Sequence, residues 1–191
     1  MTQLLHNYLY AAIWLAYVAY WRVMAGNVKE TARLEPASSR VTRLVFMTCA
    51  ILLLALPRVP LPFLNARFLP HGDGCFWAGA AVTACGLLFS VWGRKYLGKN
   101  WSQAVTLKQD HELITSGPYA LVRHPIYTGL LLALLGSAIA RGEWRGALAV
   151  LIFFGVLWQK LRLEEKWMRT QFGESYESYS ERVAALVPYI I

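Results

Sequence analysis

Residues 111–127, HELITSGPYALVRHPIY, concentrate ionisable and aromatic side chains between two apolar stretches of the chain. The segment holds two histidines, two tyrosines, one arginine and two prolines. Ionisable groups are costly to hold at a membrane boundary, and where they occur they usually serve a function. This segment is therefore the first candidate for a functional site.

The end of this segment has the features of a helix start that could hold a ligand. Pro125 directly follows His124, which is the usual arrangement for a helix whose first residue is proline. Tyr127 then lies in the first turn, where free backbone N–H groups and the helix dipole favour an anionic or electron-rich group. The alternative is that His124 only caps the helix, and that Tyr119 and Tyr127 belong to an interfacial aromatic belt.

A second charged group follows the last long apolar stretch and consists of Lys160, Arg162, Glu164 and Glu165. On a helix, Lys160 and Glu164 share a face, and so do Arg162 and Glu165. The alternative to a functional role is a solvated salt-bridge face just beyond a membrane helix, where each pair contributes ~0.5 kcal/mol or less.

The composition predicts an integral membrane protein. Of 191 residues, 57% are hydrophobic and 16% are charged, and the mean hydropathy is +0.37; soluble domains average about 25% charged residues. At about 20 residues per span, the chain has room for one domain of about five helices. The formal charge of +8 is spread over the loops that flank the apolar stretches, which favours contact with anionic membrane lipids over nucleic acid.

Five apolar stretches are predicted to span the membrane, and the fold class is all-α. They cover residues 4–25, 41–56, 75–93, 125–140 and 146–158. The first, which lacks a basic start and a cleavage site, is expected to be a retained span. Residues 1–191 are predicted to form one membrane domain, in which 1–99 hold the first three spans and 100–191 hold the segment 111–127, the last two spans and the tail.

The basic residues alternate along this arrangement. The connection after each span, ending with the C-terminal tail, holds five, two, five, two and five Lys or Arg residues in turn. By the positive-inside rule, the N-terminus is expected outside and the C-terminus in the cytoplasm. The segment 111–127 and the C-terminal tail then lie on the same, cytoplasmic side.

The tail is predicted to be helical. Leu161, Trp167, Met168 and Phe172 recur at helical spacing, so the fifth span should continue out of the membrane and end at Gly173. A second short helix is expected over residues 174–187, before Pro188.

Several classes of site are not indicated. Cys49, Cys75 and Cys85 form no metal-binding or disulfide pattern. His111 and His124 have no third ligand nearby, so no catalytic metal is expected. The sequence contains no phosphate-binding or dinucleotide-binding glycine motif in a suitable context.

Taken together, three motifs resemble a known family. GPYALVRHPIYTG, then LRLEE, then FGESYESYSERVAALVPYI are similar to the isoprenylcysteine carboxyl methyltransferases and their bacterial relatives. The wider group includes phospholipid N-methyltransferases. The resemblance covers residues 100–190, and it is the combination and spacing of the motifs that makes it specific.

The resemblance implies a membrane methyltransferase that uses S-adenosyl-L-methionine and releases S-adenosyl-L-homocysteine. It assigns cofactor contacts to Gln103, His111, Glu112, Leu113, Ile114, Tyr119, His124, Pro125, Ile126, Tyr127 and Glu164. Gln103 lies one residue from the family spacing. Lys160 stands where eukaryotic members have a substrate-binding arginine, and Arg162 follows two residues later. Lys160 or Arg162 would position a carboxylate acceptor, whereas an amine or thiol acceptor would need a base such as His124 or Glu165.

The expected acceptor is a lipophilic or lipidated molecule that enters from the bilayer of a prokaryotic cell membrane, and its reacting group is expected to be a carboxylate. Three alternatives remain open. The acceptor is an amine on a phospholipid headgroup, or the chain is an NADPH enzyme similar to sterol reductases, or it is a non-catalytic membrane subunit or transporter component.

Overall fold

The computed structural model describes residues 2–25, 31–34, 36–70, 72–98, 101, 106–108 and 113–190. Within these residues the chain forms six α-helices and one two-stranded ribbon. The helices are α1 (Thr2–Met24), α2 (Ala37–Ala55), α3 (Asp73–Leu97), α4 (Pro125–Arg141), α5 (Trp144–Phe172) and α6 (Glu174–Arg182). The strands are β1 (Thr31–Leu34) and β2 (Thr106–Lys108), and 3-10 helices lie at Pro62–Asn65 and Gly117–Ala120.

The chain is a helical integral membrane protein. Among the described residues, α2, α3 and α5 combine the length and the apolar composition that a membrane crossing needs, and α4 is a shorter apolar helix. The helical frame predicted from the sequence is confirmed. The ribbon is an addition to the all-α prediction.

The closest packing in the bundle is between α3 and α4. Gly79, Gly86 and Gly93 recur every seven residues on α3 and face α4. A Cβ atom at Gly86 would lie 2.5 Å from the carbonyl oxygen of Gly129, and one at Gly79 would lie 2.5 Å from that of Gly136. Only glycine allows this backbone approach, which fixes α4 against α3.

Two hydrogen bonds between polar side chains join α1 to the α3–α4 pair. Tyr17 Oη of α1 lies 2.7 Å from Ser90 Oγ of α3, and Trp14 Nε1 donates to Ser137 Oγ of α4 over 3.1 Å. An unpaired polar group in this environment would be costly, so these bonds specify how α1 sits on the α3–α4 pair.

The connections meet in pairs at the two ends of the bundle. At one end, β1 and β2 pair in an antiparallel ribbon that joins the α1–α2 connection to the α3–α4 connection. At the other end, the buried Arg145 donates to the carbonyl oxygens of Leu56 and Pro57 over 2.6 and 2.9 Å. This buried arginine therefore ties the start of α5 to the end of α2.

The end of α5 is confirmed, and the end of α6 was predicted wrongly. Helix α5 runs without a break to Phe172, and Gly173 follows with a φ of 51°. Helix α6 ends at Arg182 rather than near residue 187, because Val183 is extended. Residues 183–186 turn their carbonyl groups toward the start of α4; we call this segment the strap.

We expect Gly86→Ala to lower the free energy of unfolding by about 1–3 kcal/mol, because the new methyl group forces apart two backbones in contact. Thermal unfolding in detergent measures the effect. Gly155→Ala on α5 is the matched control, since no atom of another helix lies within 4 Å of a Cβ at that position. Equal melting temperatures for the two variants would contradict the close α3–α4 contact.

Candidate functional site

The predicted site residues of α4 and α5 come together at the end of the bundle where the ribbon lies. Tyr127 Oη, in the first turn of α4, donates to Glu164 Oε1 of α5 over 2.6 Å. The His124 ring, which precedes α4, stacks on the Tyr127 ring with centroids 5.3 Å apart and planes 5° apart. His124 occupies the N-cap position without a side-chain capping bond, so helix capping is not what its ring does here.

His124 lies between two carboxylates. Its Nδ1 is 3.7 Å from Glu164 Oε2, and its Nε2 is 3.4 Å from Glu165 Oε1. The Nε2 atom is buried, and among the described residues it has no hydrogen bond of good geometry. The ring is therefore placed to interact with either glutamate through a small movement.

The two glutamates differ in access. The Glu164 side chain is 24% exposed, whereas that of Glu165 is 7% exposed. Lys160 Nζ lies 3.8 Å from Glu164 Oε1 and 5.3 Å from the centre of the Tyr127 ring. Glu164 is thus the carboxylate that a ligand could reach, with a lysine, a tyrosine and a histidine around it.

The strap holds the start of α4 from the other side. The backbone N–H groups of Arg123 and His124 donate to the carbonyl oxygens of Ala184 and Ala185 over 2.8 and 3.0 Å. Thr128 Oγ1 donates to the Leu186 carbonyl over 2.7 Å. These bonds connect α4 to a segment about sixty residues later in the chain.

This arrangement corrects the expectation that free backbone N–H groups at the start of α4 would hold an anionic group. The His124 N–H is bound to the strap, and those of Tyr127 and Thr128 both donate to the His124 carbonyl. Pro125 has no N–H group. The prediction is wrong for these positions, so side chains must supply most of the contacts to a ligand.

Tyr119 is buried in the 3-10 helix Gly117–Ala120. Its carbonyl oxygen accepts a hydrogen bond of 2.6 Å from Tyr179 Oη of α6. Burial raises the pKa of Tyr179 to about 12, so this phenol keeps its proton and remains a donor at neutral pH. The bond anchors α6 under the segment that carries Tyr119.

The remaining predicted residues fall into three groups. Leu113 and Ile114 are half-buried just before the 3-10 helix, and Pro125 and Ile126 are buried at the start of α4. Arg162 is exposed and, at about 3.6 residues per turn, points away from Glu164 around α5. Outside the described residues lie Gln103, His111 and Glu112.

The sequence reading missed Arg94, near the end of α3. Its side chain is 1% exposed, and its guanidinium group donates to the carbonyl oxygens of Gly98 and Met24 over 2.6 and 2.8 Å. The guanidinium carbon lies 4.7 Å from the ring centre of Trp101. The signal in the sequence is an arginine at the end of an apolar stretch, with Trp92 and Trp101 on either side.

Two buried polar atoms near Arg94 are unpaired within the described part of the chain. They are Nε of Arg94 itself and Oη of Tyr20. Because buried polar atoms are nearly always hydrogen-bonded, such a pair of donors is a natural place for an acceptor group of a ligand. By contrast, no cluster of three His, Cys, Asp or Glu that could hold a metal occurs in the described ranges.

Comparison with known proteins identifies relatives of this chain. The family model described as phospholipid methyltransferase matches residues 75–175, which is more than half of the chain. The protein-S-isoprenylcysteine O-methyltransferase of Schizosaccharomyces pombe is 37% identical over 99 residues, which are 49% of this chain and 41% of the relative.

More distant relatives extend the comparison. The probable protein-S-isoprenylcysteine O-methyltransferase of Oryza sativa subsp. indica is 31% identical over 99 residues, 49% of this chain and 50% of the relative. The cobalt-zinc-cadmium resistance protein CzcN of Cupriavidus metallidurans is 31% identical over 117 residues, 59% and 53% of the two chains. The chain spans about half the length of the curated relatives it matches.

We expect Tyr179→Phe to lower the free energy of unfolding by about 1–3 kcal/mol, because it leaves the buried carbonyl of Tyr119 without its donor. Thermal unfolding in detergent provides the measurement. Tyr189→Phe is the control, since the Tyr189 side chain is fully exposed and should lose almost nothing. A Tyr179→Phe protein as stable as this control would mean that the bond does not anchor α6.

Proposed function

The chain belongs to the phospholipid methyltransferase family, with protein-S-isoprenylcysteine O-methyltransferases among its relatives, and we propose that it is a membrane methyltransferase. It uses S-adenosyl-L-methionine to methylate a lipophilic acceptor, whose reacting group is a carboxylate. The observation that carries the proposal is the meeting of His124, Tyr127 and Glu164 at one point. The resemblance to the family assigns all three residues to the methyl donor, although Glu164 lies 40 positions after His124 in the sequence.

The residues present fit the donor. Glu164 is the accessible carboxylate of the site, suited to the ammonium group or ribose hydroxyls of S-adenosyl-L-methionine. The stacked His124 and Tyr127 rings offer an aromatic surface beside it. Tyr119, buried close by, and the half-buried Leu113 and Ile114 supply apolar contact for the adenine.

The chemistry places few demands on the protein. The donor, held by Glu164, His124 and Tyr127, would supply a methyl group on a sulfonium: the acceptor's carboxylate oxygen would bond to the methyl carbon, and the electron pair of the broken carbon–sulfur bond would stay on sulfur. An ionised carboxylate has no proton to lose, so no general base is needed. What the chain must provide is alignment and a cation that positions the acceptor.

Two cations support a carboxylate acceptor. Lys160 lies beside Glu164 and over the Tyr127 ring, and Arg94 is buried with an unpaired Nε among the described residues. Lys160 occupies the position where eukaryotic members have arginine, so it keeps the positive charge but lacks the bidentate fork. We assign Lys160 to the acceptor ahead of Arg162, which is exposed.

The placement of the chain in the membrane is part of the proposal. We infer that α1 to α5 are five spans, with the N-terminus outside and the site at the cytoplasmic side of a prokaryotic cell membrane. The alternation of basic residues supports this, and so does the ribbon, which joins two of the connections rich in Lys and Arg. The donor then arrives from the cytosol, and the acceptor reaches residues 100–191 from the bilayer.

A second candidate is methylation of an amine on a phospholipid headgroup, which the name of the matching family model favours. An ammonium acceptor must lose a proton before it can attack. His124, set between Glu164 and Glu165, is the residue placed to accept that proton.

We expect the detergent-purified protein to bind S-adenosyl-L-homocysteine in calorimetric titration, with NADPH as the negative control. Glu164→Gln removes the accessible negative charge and should weaken this binding at least 10-fold, since hydrogen bonds to a charged group contribute about 1.5–3 kcal/mol. Glu174→Gln is the matched control, because Glu174 lies exposed at the start of α6. A folded wild-type protein that binds NADPH but not S-adenosyl-L-homocysteine would overturn the proposal.

We expect Lys160→Gln to raise the KM for an S-farnesylcysteine acceptor about 10-fold, and to change the Kd of S-adenosyl-L-homocysteine less than threefold. Loss of one charge-assisted contact accounts for an effect of this size. Arg162→Gln is the control and should leave both constants unchanged. If Arg162→Gln raised KM and Lys160→Gln did not, the assignment of the two residues would be reversed.

The stability of the product toward alkali distinguishes the two acceptor classes. Methyl groups transferred from labelled donor to a carboxylate are released as methanol by mild base, whereas N-methyl groups are retained. Base-stable label in phosphatidylethanolamine, with none in S-farnesylcysteine, would favour the amine reading.

A further inference from the structure

We propose that Arg123 is a positioning residue, which sets the orientation of the His124 ring through the carboxylate of Glu165. This deepens the proposed function and rests on it, since it concerns how the same site is held ready for methyl transfer. Glu165 was predicted from the sequence to be a catalytic candidate, and it takes a different role here. In this assignment Glu165 touches neither donor nor acceptor.

The Arg123 side chain donates its hydrogen bonds to other residues of the protein. Its Nε and Nη2 atoms both donate to Glu165 Oε1, over 2.8 and 2.6 Å. Its Nη1 donates to the carbonyl oxygens of Ser180, over 3.0 Å, and of Val183. With 11% of its side chain exposed, this guanidinium group is engaged on three sides and is poorly placed to bind a ligand.

The arginine fixes one oxygen of Glu165. Oε1 receives both bonds from Arg123, and the same atom lies 3.4 Å from His124 Nε2. The other oxygen faces Arg169, whose half-exposed side chain approaches to 3.9 Å. Arg123 therefore sets where the negative charge of Glu165 stands relative to the imidazole, while Arg169 meets the carboxylate from the solvent side.

Stacking on Tyr127 alone does not specify the orientation of the His124 ring. The contact with Tyr127 fixes the plane of the imidazole, but a half-turn about the χ2 angle preserves that plane and exchanges nitrogen for carbon at each edge. A fixed carboxylate beside one edge selects the orientation with Nε2 toward Glu165. It also favours a proton on Nε2, because the carboxylate oxygen that Arg123 fixes lies nearer to Nε2, at 3.4 Å, than Glu164 lies to Nδ1, at 3.7 Å.

The consequence lies on the other edge of the ring. With Nε2 turned toward Glu165, 3.4 Å from its Oε1, Nδ1 faces Glu164 Oε2 at 3.7 Å, on the accessible side of the site. Arg123 thus connects the strap and α6, through Glu165, to the edge of His124 that a bound donor would meet.

The test compares Arg123→Lys and Glu165→Gln with Arg169→Gln. Arg123→Lys keeps the charge and loses the fork. We expect both site variants to lower kcat about 30- to 100-fold, on the scale that a misplacement of ~1 Å costs, with the acceptor KM changed less than threefold. Arg169→Gln, which removes the other cation near the same carboxylate, should change kcat less than twofold.

A double-mutant cycle shows whether Arg123 acts through Glu165. If it does, the double variant Arg123→Lys/Glu165→Gln should lower kcat by no more than the more damaging of the two single substitutions does. Losses that multiply would overturn the proposal, because they would mean two independent roles.

A spectroscopic readout separates positioning from general stability and needs no activity. In protein labelled with ¹⁵N-histidine, assigned with a His124→Asn variant, His124 should show a protonated Nε2. In Glu165→Gln, measured at a temperature where this less stable variant is still folded, this signature should shift toward a mixture of tautomers. An unchanged ring signal in Glu165→Gln would overturn the proposal. This measurement decides the question even if Arg123→Lys fails to fold. If the wild type transfers no methyl group, the proposed function fails, while the ring signal still decides the role of Arg123.

Discussion

One buried ion pair, between Arg123 and Glu165, joins the two parts of the site, which are the residues at the start of α4 and the residues of α5. It connects the segment before α4 to α5, and through the remaining arginine donors it connects both to α6 and the strap. Removing one partner of such a pair leaves an uncompensated charge, which costs about 3–5 kcal/mol. His124, which faces Glu164, thus lies next to a contact that itself contributes little to the accessible surface of the site.

The α3–α4 contact supplies the fixed frame for this pair. The glycines on both helices bring the backbones so close that α4 cannot slide along α3 without collision. With 17 residues at about 1.5 Å each, α4 is ~25 Å long, shorter than the ~30 Å hydrocarbon core. If α4 crosses the bilayer as proposed, one of its ends would lie within the hydrocarbon core.

The sequence predicted what depends on neighbouring residues and missed what depends on distant ones. Apolar runs located the helices, and Gly173 correctly ended α5, because both signals are local. The end of α6 was wrong because Val183 becomes extended where the strap meets residues 123–128, a contact between segments sixty residues apart. Arg94 was missed for a similar reason: its burial depends on Trp21 and on the carbonyl of Met24, in another helix. Glu164 and His124 came from motifs, since spacing alone could not bring them together.

The charges of the site bear on which acceptor it can serve. Arg123 and Glu165 neutralise each other and are committed to the protein. This leaves Glu164 as the accessible anion and Lys160 as the cation beside it. The proposed donor would bring an ammonium group that suits Glu164, and with that carboxylate occupied the charge of Lys160 beside it would leave a surplus of positive charge. A cationic headgroup would add to this surplus, whereas a carboxylate would reduce it. The balance of charge thus favours an anionic acceptor, even though the matching family model carries the name of the phospholipid enzymes.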